Sequence, residues 1–408
     1  MASFSIALSG LTAASSDLDV TANNVANADT VGFKESRAEF ADVFAAGAVN
    51  LNTSAVGEGV RLSTTAQQFT QGNISTSGSN LDLAISGDGF FTLQDPSNGI
   101  VYTRNGQFSE DKNGNVVTAT GQALQVYPPT TTGGFNTGAL TDLNLQTAQS
   151  SPLATSAGTV ILNLPAGSTP PTGGAFDPTN PATYNQSTST TVYDSLGNSF
   201  PATFFFTQTA TPGLWNVNMT VNGVLNATTN PLQFSSTGAV TPPASGALDF
   251  PGFAPTDGAA PMDMNFNFAQ STQFGGDFGV TSIIQNGFAT GQLSTVSIDP
   301  TGVVSAVYTN GRSTQLGQLA LANFPDPQGL KQLGDTNWAE TFSSGTHISG
   351  TAGTAGFGSV QSGALEASNV DLTTELVNMI TAQRAFQANA QVITTANQLS
   401  ETVINITH

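Results

Sequence analysis

The sequence predicts a mostly β chain with α-helical termini, arranged as nested discontinuous domains. Two outer antiparallel β domains are expected on a coiled-coil-like pair of N- and C-terminal helices. Three observations predict this. Apolar residues recur every seven positions near both ends. Between the ends, apolar and polar residues alternate with period two. Pro- and Gly-rich blocks, together with a shift in charge, divide that middle into an inserted segment and two flanking ones.

At the N-terminus Phe4, Leu11, Leu18 and Val25 form the sevenfold repeat, flanked by Ala7, Leu8, Ala14 and Ala22. At the C-terminus Leu365, Leu372, Met379, Phe386 and Ile393 repeat in the same way, with Ala385, Val392, Ala396, Leu399 and Val403 widening the stripe. A sevenfold apolar repeat predicts helices that pack along a seam. Such a stripe can also serve an ordinary core-facing helix. Here the two helices stand at opposite chain ends and can pair, and their polar faces hold Ser, Thr, Asn and Gln with little charge. Those faces suit packing against protein better than open solvent.

In the middle, Leu81, Leu83 and Ile85 alternate with Asp82 and Ala84. Trp215, Val217, Met219 and Val221 alternate with Asn216, Asn218 and Thr220, and Asn222-Gly223 follows as a hairpin turn. Met262, Met264, Phe266 and Phe268 alternate with Asp263, Asn265 and Asn267. These segments predict half-buried antiparallel strands. Asp-x-x-Gly turns are expected at Asp111–Gly114, Asp194–Gly197 and Asp299–Gly302. The run Asp111 to Asn115 resembles the start of a calcium loop, but the bidentate Glu that such a loop needs is missing, so it reads as a turn.

The charge shift marks the insertion: residues 146–283 contain no Lys, Arg or Glu and just six Asp. The expected layout is a terminal helical domain of 1–28 and 364–408, a linker region of 29–71 and 358–363, a first β domain of 72–145 and 284–357, and an inserted outer β domain of 146–283.

Composition excludes several function classes. The chain of 408 residues has 27 carboxylates against 8 Lys and Arg, a formal net charge of −19. No basic patch can neutralise phosphates, so no nucleic-acid binding is expected. Cysteine is absent, which removes thiolate catalysis, disulfides and zinc–thiolate sites. The two histidines are His347 and His408. No nucleotide-binding or hydrolase motif occurs, and no catalytic residue, cofactor or metal is expected. No apolar run is long enough to span a bilayer, and the start lacks the basic and apolar stretches of a secretory signal.

Three motifs in order carry a family resemblance. The first is residues 8–34, LSGLTAASSDLDVTANNVANADTVGFK, with Asn23-Asn24-Val25-Ala26-Asn27 and then Gly32-Phe33-Lys34. The second is Ile85 to Phe91, ISGDGFF, followed by Tyr102-Thr103-Arg104-Asn105-Gly106. The third is Ser368-Asn369-Val370-Asp371-Leu372, then Glu375 to Ile380, then Gln383 to Asn389. The chain thereby resembles the flagellar axial proteins of the rod and hook, and among them the hook subunits. Its length, its insertion, the run Thr191 to Gly197 (TVYDSLG) and the short stretch Phe44 to Gly59 favour the hook over the rod.

The resemblance implies a structural, non-enzymatic subunit of the flagellar hook, a curved tube that transmits torque as a universal joint. It implies a homopolymer that meets rod proteins at its proximal end and hook–filament junction proteins and a hook cap at its distal end. It further implies type III export without a cleaved signal to an extracellular position in the flagellum, with no membrane insertion. The inner-tube helices would then use Phe4, Leu11, Leu18, Val25, Leu365, Leu372, Met379, Phe386 and Ile393. Asn23, Asn24, Asn27, Gly32 and Phe33 would form the end of the first helix and the linker, with Asn satisfying backbone groups there. A distal rod subunit, or a secreted β-rich adhesin, is the alternative. The adhesin would leave the matched end stripes unexplained.

Overall fold

A computed structural model describes residues 2–43, 57–145, 150–241 and 246–406. Helix α1 spans Ala2–Ala26 and helix α2 spans Leu372–Ile406; between them the described chain is strands and turns, apart from two short 3-10 turns. The chain divides into two compact units. One takes residues 1–146, 295–306 and 313–408, and the other takes 147–294 and 307–312.

In the first unit, α2 starts where a cap is available. The Asp371 carboxylate accepts the Thr374 amide at 3.0 Å, and Glu375 stands in the first turn, both favourable at a helix N-terminus. The C-terminal helix is therefore shorter than the sevenfold repeat suggests. Leu365 lies in strand Ala364–Glu366, paired antiparallel with Ile74–Thr76, and is half-buried. The expected linker also contains structure: strands Ser36–Asp42 and Val60–Gln67 form an antiparallel pair with an irregularity at Glu39/Phe40. Most of the stretch Phe44 to Gly59 lies outside the described residues.

The two sequence-distant β segments of this unit share one sheet. Strand Phe90–Asp95 pairs with Gly99–Thr103 and Ala123–Tyr127 from its own segment. It also pairs with Leu321–Asn323 from the returning segment, Leu321 opposite Phe91. The core joins Leu83, Phe91, Leu93, Val101 and Leu124 to Val304, Leu319 and Leu321. A second cluster packs Phe90 edge-on against Trp338, with ring centroids 5.7 Å apart. The Asp-x-x-Gly turns form as expected. The Asp111 carboxylate accepts the Asn113 and Asn115 amides, and the Asp299 carboxylate accepts those of Thr301 and Val303. Asp111 is thus committed to its own turn.

In the second unit two five-stranded sheets face each other. Strands Gln186–Tyr193, Ser199–Gln208 and Leu214–Val221 run antiparallel in one. The other pairs Ala157–Pro165 antiparallel with Gly279–Gln285. Phe204, from the first sheet, meets Phe250, Phe266 and Phe268 edge-on at 4.9–5.8 Å, and the core between the sheets is closed by Trp215, Met219 and Leu248. This is the layering of a β-sandwich. The expectation of wholly antiparallel pairing fails at one place. Ala157–Pro165 pairs parallel with Met262–Asn267 and Thr272–Phe274. Parallel neighbours need a long crossover, and here the strands of the other sheet supply it.

The boundary expected at 283/284 falls inside strand Gly279–Gln285. Beyond it, Phe288 and Gly291 still bond to Leu153 and Ser150. The charge-poor run in fact extends to Arg312, where this unit ends.

Candidate assembly surface at the paired terminal helices

The helices pack antiparallel: Gly10 lies opposite Asn389, and Asn24 opposite Glu375. A Cβ on Gly10 would come within 2.7 Å of the Asn389 Oδ1 atom, so glycine allows the close approach. The residues buried on α1 are small or polar: Ala7, Ala14, Thr21 and Asn24. On α2 they are Glu375 and Ala382.

The sevenfold stripes alternate with these buried positions and are for the most part half-buried. On α1, Ala7, Ala14 and Thr21 each follow a stripe residue by three, about 60° around the helix. Phe4 is 43% exposed, and Leu11, Leu18 and Val25 are half-buried. On α2, Met379, Phe386 and Ile393 are half-buried on the same side as Glu375 and Ala382, while Leu372 is exposed. A further apolar set is uncovered. Leu372, Leu376 and Ile380 recur every four residues, and Val392 and Leu399 border a concavity of about 430 Å³ with Ala388 and Thr395. Leu8 of α1 is also exposed. Large apolar residues contiguous at a surface mark an interaction site.

The start of the helix pair is tied to the β part of its unit by buried polar groups. Asn24 is 1% exposed; its Nδ2 donates to the Ser36 carbonyl and to Glu375, and its Oδ1 accepts the Ser36 amide. One Asn thus holds α1, α2 and a strand. Asn369 does similar work, accepting the Glu35 amide and donating to the Gln68 carbonyl. Asn27 caps locally, its Nδ2 reaching the Asn23 carbonyl at 3.0 Å. The left-handed residue past α1 is Gly32 (φ +71) and none of the asparagines. A Cβ there would meet the Asn105 backbone nitrogen at 2.5 Å. Asn23, Asn27 and the buried Phe33 line a groove of about 720 Å³ with Thr103, Asn105 and Trp338.

Behind that loop is an ion cluster with almost no solvent contact. Lys34 Nζ is 2.6 Å from Glu366 Oε1, and Arg104 is 3.2 Å from Glu366 Oε2; side-chain exposures are 0%, 0% and 4%. Glu366 also accepts the Gly72 amide, and Lys34 donates to the Thr70 carbonyl. Burial pushes the Lys34 ammonium down, while Glu366 opposes the shift. Burial likewise lowers Arg104 against the pull of Glu366. Two of the chain's eight basic residues are spent here, away from any surface role. Asp17, Glu35 and Glu375 gather around a cavity of about 250 Å³ between α1, α2 and strand Ser36–Asp42. Burial, then the Glu375 charge, raises both Asp17 and Glu35.

Of these residues Glu366 was not singled out from the sequence, and Lys34, Arg104, Asn369 and Glu375 entered only as members of the family motifs, without a role. For the charged ones the signal was rarity: charged residues are 9% of the chain, so a charge inside a polar or apolar motif is informative. His347 sits at the surface, 38% exposed, with Nδ1 2.6 Å from Glu340.

Four segments match flagellar families: 4–34 the flagella basal body rod protein, 84–163 the flagellar hook protein FlgE/F/G D1 domain, 163–288 the flagellar basal body protein FlaE D2 domain, and 361–406 the flagellar basal body rod FlgEFG protein C-terminal. The flagellar hook protein FlgE of Escherichia coli K12 is 38% identical over 99% of both chains. That of Salmonella typhimurium is 39% identical over 99% of this chain and all of its own.

The chain belongs to the flagellar hook protein family.

The hook protein of Borreliella burgdorferi is 32% identical over 98% of each chain. A crystal structure of the Helicobacter pylori flagellar hook protein FlgE2 shares the fold, with a TM-score of 0.53 over 72% of this chain and 14% identity. The hook protein family is structural, so the chain is a structural subunit of the flagellar hook and not an enzyme. The full-length matches to hook proteins disfavour both the distal rod and the adhesin readings.

Proposed function

We propose that this hook subunit polymerises through the uncovered faces of α1 and α2, which line the inner wall of the hook tube. One observation carries the reading: the fully buried positions of the helix pair are small or polar, while Leu8, Leu372, Leu376, Ile380, Val392 and Leu399 are exposed. A self-contained helical hairpin would be built the other way round. Phe4, Leu11, Leu18, Val25, Met379, Phe386 and Ile393 then stand at the border between the pair and its neighbours. Leu8, Leu376, Ile380, Val392 and Leu399 face the neighbours directly. The helices and the linker act as the assembly element.

Torque passes through the lateral packing of the helices, and bending is absorbed where polar β surfaces slide. Those surfaces suit sliding because exposed ion pairs contribute little to holding them. The subunit leaves the cell through the type III export apparatus. The tube meets rod proteins at its proximal end and junction proteins and a cap at its distal end.

The test is the pair Leu376→Ser and Ile380→Ser, both 50% exposed in the single chain. Covering the remaining half of each side chain in a polymer contributes about 1.5–3 kcal/mol in total. The double variant should raise the critical concentration by roughly one to two decades and leave monomer melting unchanged. An unchanged critical concentration would exclude these faces from assembly.

A further inference from the structure

Asn-Gly steps occur at Asn98, Asn105, Asn113, Asn222, Asn286 and Asn310. At such a step an asparagine can lose its amide without an enzyme. The glycine nitrogen reaches the asparagine Cγ because no side chain stands in the way and the backbone turns freely. The steps are chemically alike, so differences in reactivity among them come from the fold. Reaction needs an asparagine side chain that is not tied down, a glycine N–H that is not donated elsewhere, and room for the backbone to turn.

Most of the steps are blocked. At Asn98 the Asp95 carboxylate holds the residue's own amide at 2.8 Å, and Gly99 is paired in a strand opposite Asp95. The Asn105 Oδ1 accepts the Gln107 amide, and Gly106 is buried against the Leu83 backbone. Asn113 donates to the Asp111 carboxylate, and the Gly114 amide donates to the Asp111 carbonyl. The Asn286 Oδ1 accepts the Ser156 and Ala157 amides, and the Gly287 amide donates to the Gln285 side chain. Asn310 donates to the Ala289 carbonyl and accepts the Arg312 amide, while the Gly311 amide donates to the Tyr308 carbonyl.

At Asn222-Gly223 every requirement is met. Both residues are exposed. Among the described residues, neither the Asn222 side chain nor the Gly223 amide has a hydrogen-bond partner. A Cβ placed on Gly223 would meet nothing within 4 Å. The Asn222 amide donates to the Pro201 carbonyl at 2.9 Å, but that nitrogen takes no part in the reaction. Both residues are left-handed, with φ of +50 and +77, and Asn222 must turn out of this conformation to react. Little resists the turn. The returning strand Val224–Leu225 pairs only with Val221 and Thr220, and its side chains are 60% and 43% exposed. Short exposed pairings open locally at low cost.

We infer that Asn222 is a site of spontaneous deamidation. The Gly223 nitrogen gives its proton to solvent base and bonds to the Asn222 Cγ. The Cγ–Nδ2 bond breaks, and the nitrogen leaves as ammonia after taking up a proton from water. Water then opens the cyclic imide at one carbonyl or the other and leaves aspartate or isoaspartate. The sum is water taken up and ammonia released, with no change in oxidation state. Either product adds a negative charge, and isoaspartate also lengthens the turn between Val221 and Val224 by a backbone carbon.

The test is to age the full-length monomer in mildly alkaline buffer made with heavy-oxygen water, digest it with chymotrypsin in ordinary water, and read the peptides by mass spectrometry. The Asn222 peptide should take up label about tenfold or more faster than the peptides of the other Asn-Gly steps, the difference that one or two held hydrogen bonds make to a rate. In urea-unfolded chain all the steps should convert at similar rates, because the fold no longer selects among them. Equal labelling in the folded protein, or labelling led by another step, would overturn the assignment. So would an Asn222 peptide that takes up label only in urea, since the left-handed turn would then lock the residue against reaction.

Discussion

Glu366→Gln is the substitution that should damage the monomer most for the smallest change in shape. Glu366 forms ion pairs with two cations, Lys34 at 2.6 Å and Arg104 at 3.2 Å, with exposures of 0% and 4%. The amide keeps the volume and can still accept the Gly72 amide. It removes the charge and leaves two buried cations facing each other. Breaking a buried pair in this way costs about 3–5 kcal/mol, and the second cation puts this site at the upper end. For units of 150–250 residues, each kcal/mol shifts the melting temperature by about 2–4 °C. A loss of roughly 10 °C or more is therefore expected for the first unit. Lys34→Met should cost less, because Glu366 keeps Arg104 and the cluster becomes neutral. Screening cannot reach the site, so the loss should persist in 1 M salt, where the Debye length is about 3 Å. Calorimetry on monomeric protein at low and high salt gives both numbers. A drop of less than about 1 kcal/mol, or one that salt abolishes, would show that water reaches the cluster and that it does not tie the linker to the sheet.

Phe204→Ala removes a ring with no exposure that touches three other phenylalanines. It should cost the second unit about 3–5 kcal/mol and leave the melting of the first unit unchanged, as domain-resolved hydrogen exchange would show. Asp17 and Glu35 have raised pKa values, so the fold holds protons that the unfolded chain releases near its ordinary 3.8 and 4.5. The folded state binds more protons, and its stability should fall as pH rises from those values through the raised ones. Amide protection at residues 14–24 should therefore weaken from pH 4 upward, and Asp17→Asn should reduce that slope. Subunits with a formal charge of −19 oppose one another, so polymerisation followed by light scattering should accelerate between 0.1 and 1 M salt as the Debye length falls from about 10 to 3 Å. Slower assembly would mean that specific ion pairs join the copies.

The two fold-defining periods were legible because each is enforced over many residues. Met262, Met264 and Phe266 are buried and Asp263 and Asn267 are exposed, as an alternating strand requires. The hairpin at Asn222-Gly223 formed with Asn222 at φ +50, the backbone that this pair favours. Other features depend on partners that a local pattern does not contain. Asn218 and Thr220, polar positions of an alternating strand, are buried, and Asn218 accepts a hydrogen bond from Thr229, eleven residues on. The parallel pairing of Ala157–Pro165 depends on where the chain returns about a hundred residues later, which period alone does not fix.

The helix ends show the same limit more sharply. A sevenfold repeat gives a face, but it does not say which neighbour covers it. Leu365 continues the repeat and is nevertheless a strand residue, because the Asp371 cap starts α2 six residues later. Leu11 and Leu18 also keep the repeat, yet they are only half-buried, and the fully buried positions are Ala7, Ala14 and Thr21, which are small enough to let two helices close around Gly10 and Asn389. Intramolecular pairing selects small residues, because close approach maximises packing over a short contact. Apolar bulk beside such a seam is only partly covered within the chain. A sequence read as a single molecule takes the larger residues for the core; in this chain the larger stripe residues are left half-covered, as a subunit that completes itself by assembly requires.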